Sequence, residues 1–235
     1  MRDKVLLIAC GMIKDELNLA MENSGFFYDT IWMDAELHIN PDLLRSELQK
    51  AINQNQTYEQ ILLAYGNCGN GLVGLVSEKT KLACLRLEDC IHVLLHNEKN
   101  LKNIQGETYF ITKAWINSKK SLKEEYHYAM TRYGAKRAEA IMGIMFKHYK
   151  SMVLVDTGAY AMDSWIYCAK HLSQVLHLDF KTMSGDVGLL EMFLSLKWDR
   201  QVAEFEPGRV ISKDDFGVEC VLGSFSNAGP VFSQQ

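Results

Sequence analysis

A chain of 235 residues in which 48% are hydrophobic and 23% charged has a globular composition, which excludes disordered and fibrous classes. Its net charge of -4 comes with dispersed basic residues, so neither a nucleic-acid footprint nor a polybasic membrane patch is present. No apolar run approaches the length of a spanning helix.

In chain order, KVLLIAC (4–10) reads as a first strand rather than as a signal peptide. A helix candidate, MIKDELNLAMEN, leads to strand DTIWMD (29–34). The next helix, PDLLRSELQKAIN, is opened by Asn40 as N-cap and Pro41 at the first helical position. Strand QILLAYG (60–66), helix GLVGLVSEK, strand KLACLRL (81–87) and helix CIHVLLHNEKN follow. Beyond them lie strand ETYFIT (107–112), a long helix from about 122 to 149, and strand MVLVDTG (152–158). Helix AMDSWIYCAKHLSQVL, strand LDFKTM (178–183), helix VGLLEMFLSLKW and strand AEFEPG (203–208) complete the pattern. In the long helix Ile141, Met142, Ile144, Met145 and Phe146 form an apolar stripe expected to face the core, while Tyr126, Tyr128 and Tyr133 are expected on its surface.

Strands alternating with helices predict a Rossmann-like α/β architecture with parallel sheets. The expected division is an N-terminal α/β lobe (1–115), a helical connection (116–149), a smaller α/β lobe (150–211) and an irregular tail (212–235). A cleft is expected between the two lobes.

The six cysteines contain no CxxC pair. In a reducing, cytoplasmic setting they are expected to be free thiols or metal ligands gathered from distant segments. Cys10 ends the first strand, Cys68 follows the third inside AYGNCGNGLVG, and Cys90 follows the fourth in RLEDCIH. Parallel strands share one C-terminal edge, where open α/β sheets bind ligands, so the three sulfurs are expected to meet there. Cys84 inside a strand and Cys168 inside a helix are expected to be inert; Cys220 lies in the weakly patterned tail.

Three thiolates at one edge suit a 4Fe-4S cluster with one iron left open for substrate. They also suit a Zn2+ ion completed by Glu88 or His92. A metal-free alternative makes Cys90 a nucleophile of lowered pKa at a helix N-terminus. Gly11, Gly66, Asn67, Gly69, Asn70 and Gly71 are the expected lining, since glycines let backbone N–H groups approach the sulfurs unobstructed. Of the nearby charges, Glu88 is a candidate fourth ligand or general base, and Arg86 a candidate anchor for an anionic substrate. HVLLH (92–96) lacks the glutamate of HExxH, and no P-loop occurs. Asp156-Thr157-Gly158 and Ser184-Gly185-Asp186 read as ordinary turns after strands.

ACGMIKDEL (9–17), AYGNCGNGLVGL (64–75), RLEDCIHVLL (86–95) and TYFITKAW (108–115) together resemble, in order and spacing, the prokaryotic family called domain of unknown function 1638. VDTG (155–158) and SGDVGLLEMFLSLKW (184–198) extend the likeness over roughly residues 4–210. The resemblance implies an anaerobe or methanogen source and genes beside corrinoid-dependent methyltransferases acting on methylamines, betaines or related compounds. It therefore implies a corrinoid protein or methyltransferase as partner. The chain departs from the family at Glu88, where many relatives carry histidine in PRxHDC, and at Thr112-Lys113-Ala114-Trp115, where many carry TPGW.

Two functions follow as expectations. One is a metal-dependent enzyme or enzyme component acting on a small molecule in anaerobic one-carbon metabolism. The other is an accessory protein that binds a metal, corrinoid or methylated ligand without turnover.

Overall fold

The computed structural model describes residues 4–198 and 200–216. Cys220 and most of the expected tail lie outside the described residues. The chain divides into two compact units, one formed by residues 4–94 with 187–216 and the other by residues 95–186.

The first unit opens with β1 (Val5–Cys10), α1 (Lys14–Ser24), β2 (Asp29–Met33), α2 (Pro41–Gln54), β3 (Gln60–Ala64), β4 (Lys81–Leu85) and the short α3 (Cys90–Leu94). Local chemistry sets the helix ends. The Asn40 side chain accepts from the Asp42 and Leu43 N–H groups at 3.1 Å to start α2. Gly25, at φ +66°, closes α1 by donating to the Met21 carbonyl at 2.9 Å.

The second unit contains α4 (Leu101–Ile104), β5 (Thr108–Ile111), α5 (Lys113–Asn117), α6 (Leu122–Tyr133), α7 (Ala135–Met145), β6 (Ser151–Asp156), α8 (Asp163–Val175) and β7 (Asp179–Ser184). Its sheet is parallel throughout, in the order β5-β6-β7. The core beside it is built from Tyr109, Ile111, Met142, Phe146, Leu154 and Leu172. The chain then returns to the first unit through α9 (Gly188–Leu194) and β8 (Val202–Phe205).

The first sheet has five strands in the order β2-β1-β3-β4-β8. β1 pairs in parallel with both β2 and β3, and β3 with β4. β1 is buried along its whole length, as expected of a strand covered on both faces. Strand order therefore reverses between β1 and β3, which makes their C-terminal ends the switch point at which such sheets form a ligand crevice.

Several expectations are corrected. β5, grouped by its sequence with the first four strands, pairs with β6 instead. β8, grouped with the later strands, lies antiparallel against β4. The expected 122–149 helix is two helices, broken at Gly134 with φ +78°. Met142 and Phe146 of its stripe are buried, but Ile144 is 69% exposed.

GLVGLVSEK is not helical. Its backbone is held by distant partners instead. Gln49 of α2 bonds both the N–H and the carbonyl of Val76, at 3.0 and 2.7 Å. Gly74 and Leu75 pair with Ile211 at 2.8 and 2.9 Å. Residues 213–216, expected to be irregular, form a 3-10 turn in which Asp215 and Phe216 are buried. No helix among the described residues is long and apolar enough to cross a membrane.

Candidate functional site

The three cysteines meet beyond the C-terminal ends of β1, β3 and β4. Cys10 is the last residue of β1. Cys68 lies in the turn after β3, and Cys90 is the first residue of α3. Cys68 and Cys90 keep some exposed surface, but all three sulfurs lie buried and act electrostatically on one another. All three also act on the hydroxyl of Tyr65, the residue following β3.

Backbone N–H groups point at two of the sulfurs. The Cys68 sulfur accepts from the Cys90 and Gly66 N–H groups, and the Cys10 sulfur from Met12 N–H. Such bonds stabilise negative charge on sulfur and are common around thiolate-held centres.

The turn carrying Cys68 is left-handed at three consecutive residues, with φ of 45° at Cys68, 67° at Gly69 and 71° at Asn70. Non-glycine residues pay on the order of 1–2 kcal/mol for this conformation, so the surroundings must hold it in place. The Gly71 N–H donates to the Asn67 carbonyl at 2.8 Å. Asn67 Nδ2 donates to Asn70 Oδ1 at 3.0 Å, and Arg45 Nη2 to the Asn70 carbonyl at 2.8 Å.

The glycines serve the protein's own packing. A Cβ on Gly66 would lie 2.6 Å from the Asp89 Cα, and one on Gly71 would lie 2.7 Å from Leu44 Cδ2. A Cβ on Gly11 would come within 3.0 Å of the Met33 carbonyl oxygen. At these positions the space freed by glycine is filled by neighbouring chain.

Acidic groups surround the sulfurs. Glu16, on the first turn of α1 and only 1% exposed, acts on Cys90; Asp34 acts on Cys10; Asp89 acts on Cys68 and Cys90. Burial pushes the Asp89 carboxyl up, but the His92 ring and the N–H groups of His92 and Ile91 outweigh it and hold the group below the usual carboxylate range. His92 is bracketed by two carboxylates, with Nδ1 2.9 Å from Asp89 Oδ1 and Nε2 3.6 Å from Glu88 Oε2. His38, whose pKa is lowered by burial, also lies within reach of the Asp89 charge. Arg86 is exposed, and its Nε donates to the Val202 carbonyl at 3.3 Å, tying β4 to β8.

Cys90 does not have the lowered pKa expected at a helix start. Burial first, then the charges of Cys68, Asp89, Cys10 and Glu16, raise it well above the ordinary thiol value. α3 spans only Cys90–Leu94 and so offers little dipole to oppose this. Burial likewise pushes Cys10 up to about 11 and Cys68 well above the usual value. These are neutral thiols unless a cation deprotonates them. Cys84 is a core residue buried inside β4, where burial pushes its thiol up to about 12.

As donors, three sulfurs, two of them with backbone N–H support, fit a soft metal or an iron–sulfur cluster. No three His, Cys, Asp or Glu among the described residues already stand as a coordination shell. Binding therefore requires the thiol side chains to close in. Tyr65, Glu16 and His38 were not singled out by their sequence. Tyr65 ends an apolar run and reads as core, while Glu16 lies among the polar residues of α1.

No curated protein and no solved structure matches the chain. The family model described as protein of unknown function (DUF1638) matches residues 32–194, a stretch that includes Cys68 and Cys90 and begins after Cys10. The chain belongs to the DUF1638 family.

Proposed function

We propose that the protein holds an iron–sulfur cluster of the 4Fe-4S type, or alternatively Zn2+, on Cys10, Cys68 and Cys90, and binds a small molecule at the coordination position those residues leave open. One observation carries this reading: three cysteines follow the ends of β1, β3 and β4 at one edge of the first sheet and act electrostatically on one another, with backbone N–H groups directed at the Cys10 and Cys68 sulfurs. Such a centre supplies Lewis acidity, and in the iron–sulfur case electron transfer as well. The chain's own residues hold it through the thiolates and bury the sulfurs. The acidic groups Glu16, Asp34 and Asp89 favour a cation there. Glu88 is the proposed fourth donor or base. A role in anaerobic methylated-compound metabolism, with a corrinoid protein or methyltransferase as partner, rests on the family resemblance alone.

A second reading, a carrier that binds a metal, corrinoid or methylated ligand without turnover, has its own support. Glu88 is engaged with His92, and Arg86 is engaged with β8. Both groups proposed for catalysis thus have structural work. Anaerobic purification followed by a visible spectrum and metal analysis tests the shared premise. Several irons with matching sulfide support the cluster, and one tightly held zinc supports the alternative. A colourless, metal-free protein that cannot be reconstituted with either counts against both.

A further inference from the structure

Tyr65 is among the largest fully buried side chains of the protein, with 1% exposure. It lies at the C-terminal edge of the first sheet, directly after β3. A buried tyrosine hydroxyl ordinarily finds a hydrogen-bond partner, as the buried Tyr109 and the half-buried Tyr28 and Tyr160 do. Tyr28 donates to the Leu194 carbonyl at 2.7 Å, Tyr109 accepts from Trp115 Nε1 at 2.6 Å, and Tyr160 donates to the Val155 carbonyl. The Tyr65 hydroxyl reaches no partner at normal geometry. Its polar neighbours are the three cysteine sulfurs, and that of Cys10 stands at the margin of a hydrogen bond.

Packing does not explain that oxygen. A phenylalanine fills the same volume without burying a hydroxyl, and leaving one unsatisfied costs about 1–3 kcal/mol. A neutral thiol is a weak acceptor, whereas a thiolate accepts strongly. A metal-bound thiolate at that place would give the hydroxyl the acceptor it lacks.

We propose that Tyr65 is a positioning residue of the centre, donating its O–H to the Cys10 sulfur when that sulfur is a metal-bound thiolate. This rests on the metal reading of the three cysteines. The hydrogen bond withdraws electron density from the sulfur, orients it toward the ion and stabilises the bound state.

The test compares Co2+ binding, without oxygen, by the parent, Tyr65→Phe and the control Tyr109→Phe in the core of the second unit. The parent and the control are expected to show the same sulfur-to-cobalt charge-transfer band. Tyr65→Phe should bind Co2+ about 10- to 100-fold more weakly, as for other groups that support metal ligands, with its band moved to longer wavelength. Metal-free Tyr65→Phe should melt no lower than the metal-free parent, since it loses an unsatisfied hydroxyl. Parent-like affinity and spectrum in Tyr65→Phe overturn the inference and leave the metal reading standing. Weaker binding accompanied by a lowered metal-free melting temperature marks a packing role and also overturns it. A parent that binds no Co2+ overturns both.

Discussion

The Cys68 N–H donates to the Glu88 carbonyl at 2.7 Å. With the Asn67 N–H bonded to the Leu87 carbonyl at 2.7 Å, it staples the turn after β3 to the turn before α3. This brings Cys68 beside Cys90, and it depends on Gly66, whose missing side chain admits the Asp89 backbone. Gly66→Ala places a Cβ 2.6 Å from the Asp89 Cα. Backbone cannot swing aside as a flexible side chain can. The expected cost is about 1–3 kcal/mol in urea denaturation, together with loss of bound metal as the two turns separate. An unchanged denaturation midpoint and unchanged metal content would show that the two turns do not need this contact.

Glu88 separates two roles for its carboxylate. It lies 3.6 Å from His92 Nε2, on the turn that also carries Cys90. As a fourth ligand it should not be replaceable by an amide, so Glu88→Gln is expected to lower the metal retained per chain. Glu88→His should keep it, because imidazole is a good ligand. Metal analysis of the parent and both variants, prepared side by side, reads the difference. Equal metal in all three removes Glu88 from the shell.

Acid stability should depend on Asp215. Burial opposes its charge, but Arg209 at 2.5 and 3.0 Å and the Ser212 N–H at 2.7 Å outweigh that and hold its pKa below the usual value. A carboxyl that titrates lower in the folded chain than in the unfolded one, where its pKa is about 3.9, binds fewer protons when folded. Its contribution is therefore complete above the unfolded value and is lost as pH falls through the folded one. Asp215→Asn should be less stable than the parent at neutral pH, and the gap should close in strong acid. Urea midpoints measured across that range test this, and a gap independent of pH contradicts it.

Most of the eight strands of the described residues were legible because they are short apolar runs bounded by turn residues, β7 (DFKTMS) being the mixed one. The placement of Cys10, Cys68 and Cys90 along one edge was legible for the same reason, since strand ends in a parallel sheet share an edge. The segment 71–79 was not. Its apolar spacing imitates a helix, while the partners that hold it in irregular turns, Gln49 and Ile211, are far away in sequence. The pairing of β8 with β4 is equally non-local, and nothing in VAEF marks its direction. At the site, the cysteines announced themselves by type and position. Tyr65 did not, because a tyrosine ending an apolar run looks like core until its hydroxyl is found among sulfurs.

The most direct test of a shared three-cysteine centre is metal stoichiometry in single cysteine variants prepared without oxygen. Cys10→Ser, Cys68→Ser and Cys90→Ser should each lose most of the iron or zinc held by the parent. Cys84→Ser and Cys168→Ser should retain it, Cys84 with some loss of stability from its buried strand position. Parent-level metal in any of the first three variants, or equal loss in all five, would contradict a centre held jointly by Cys10, Cys68 and Cys90.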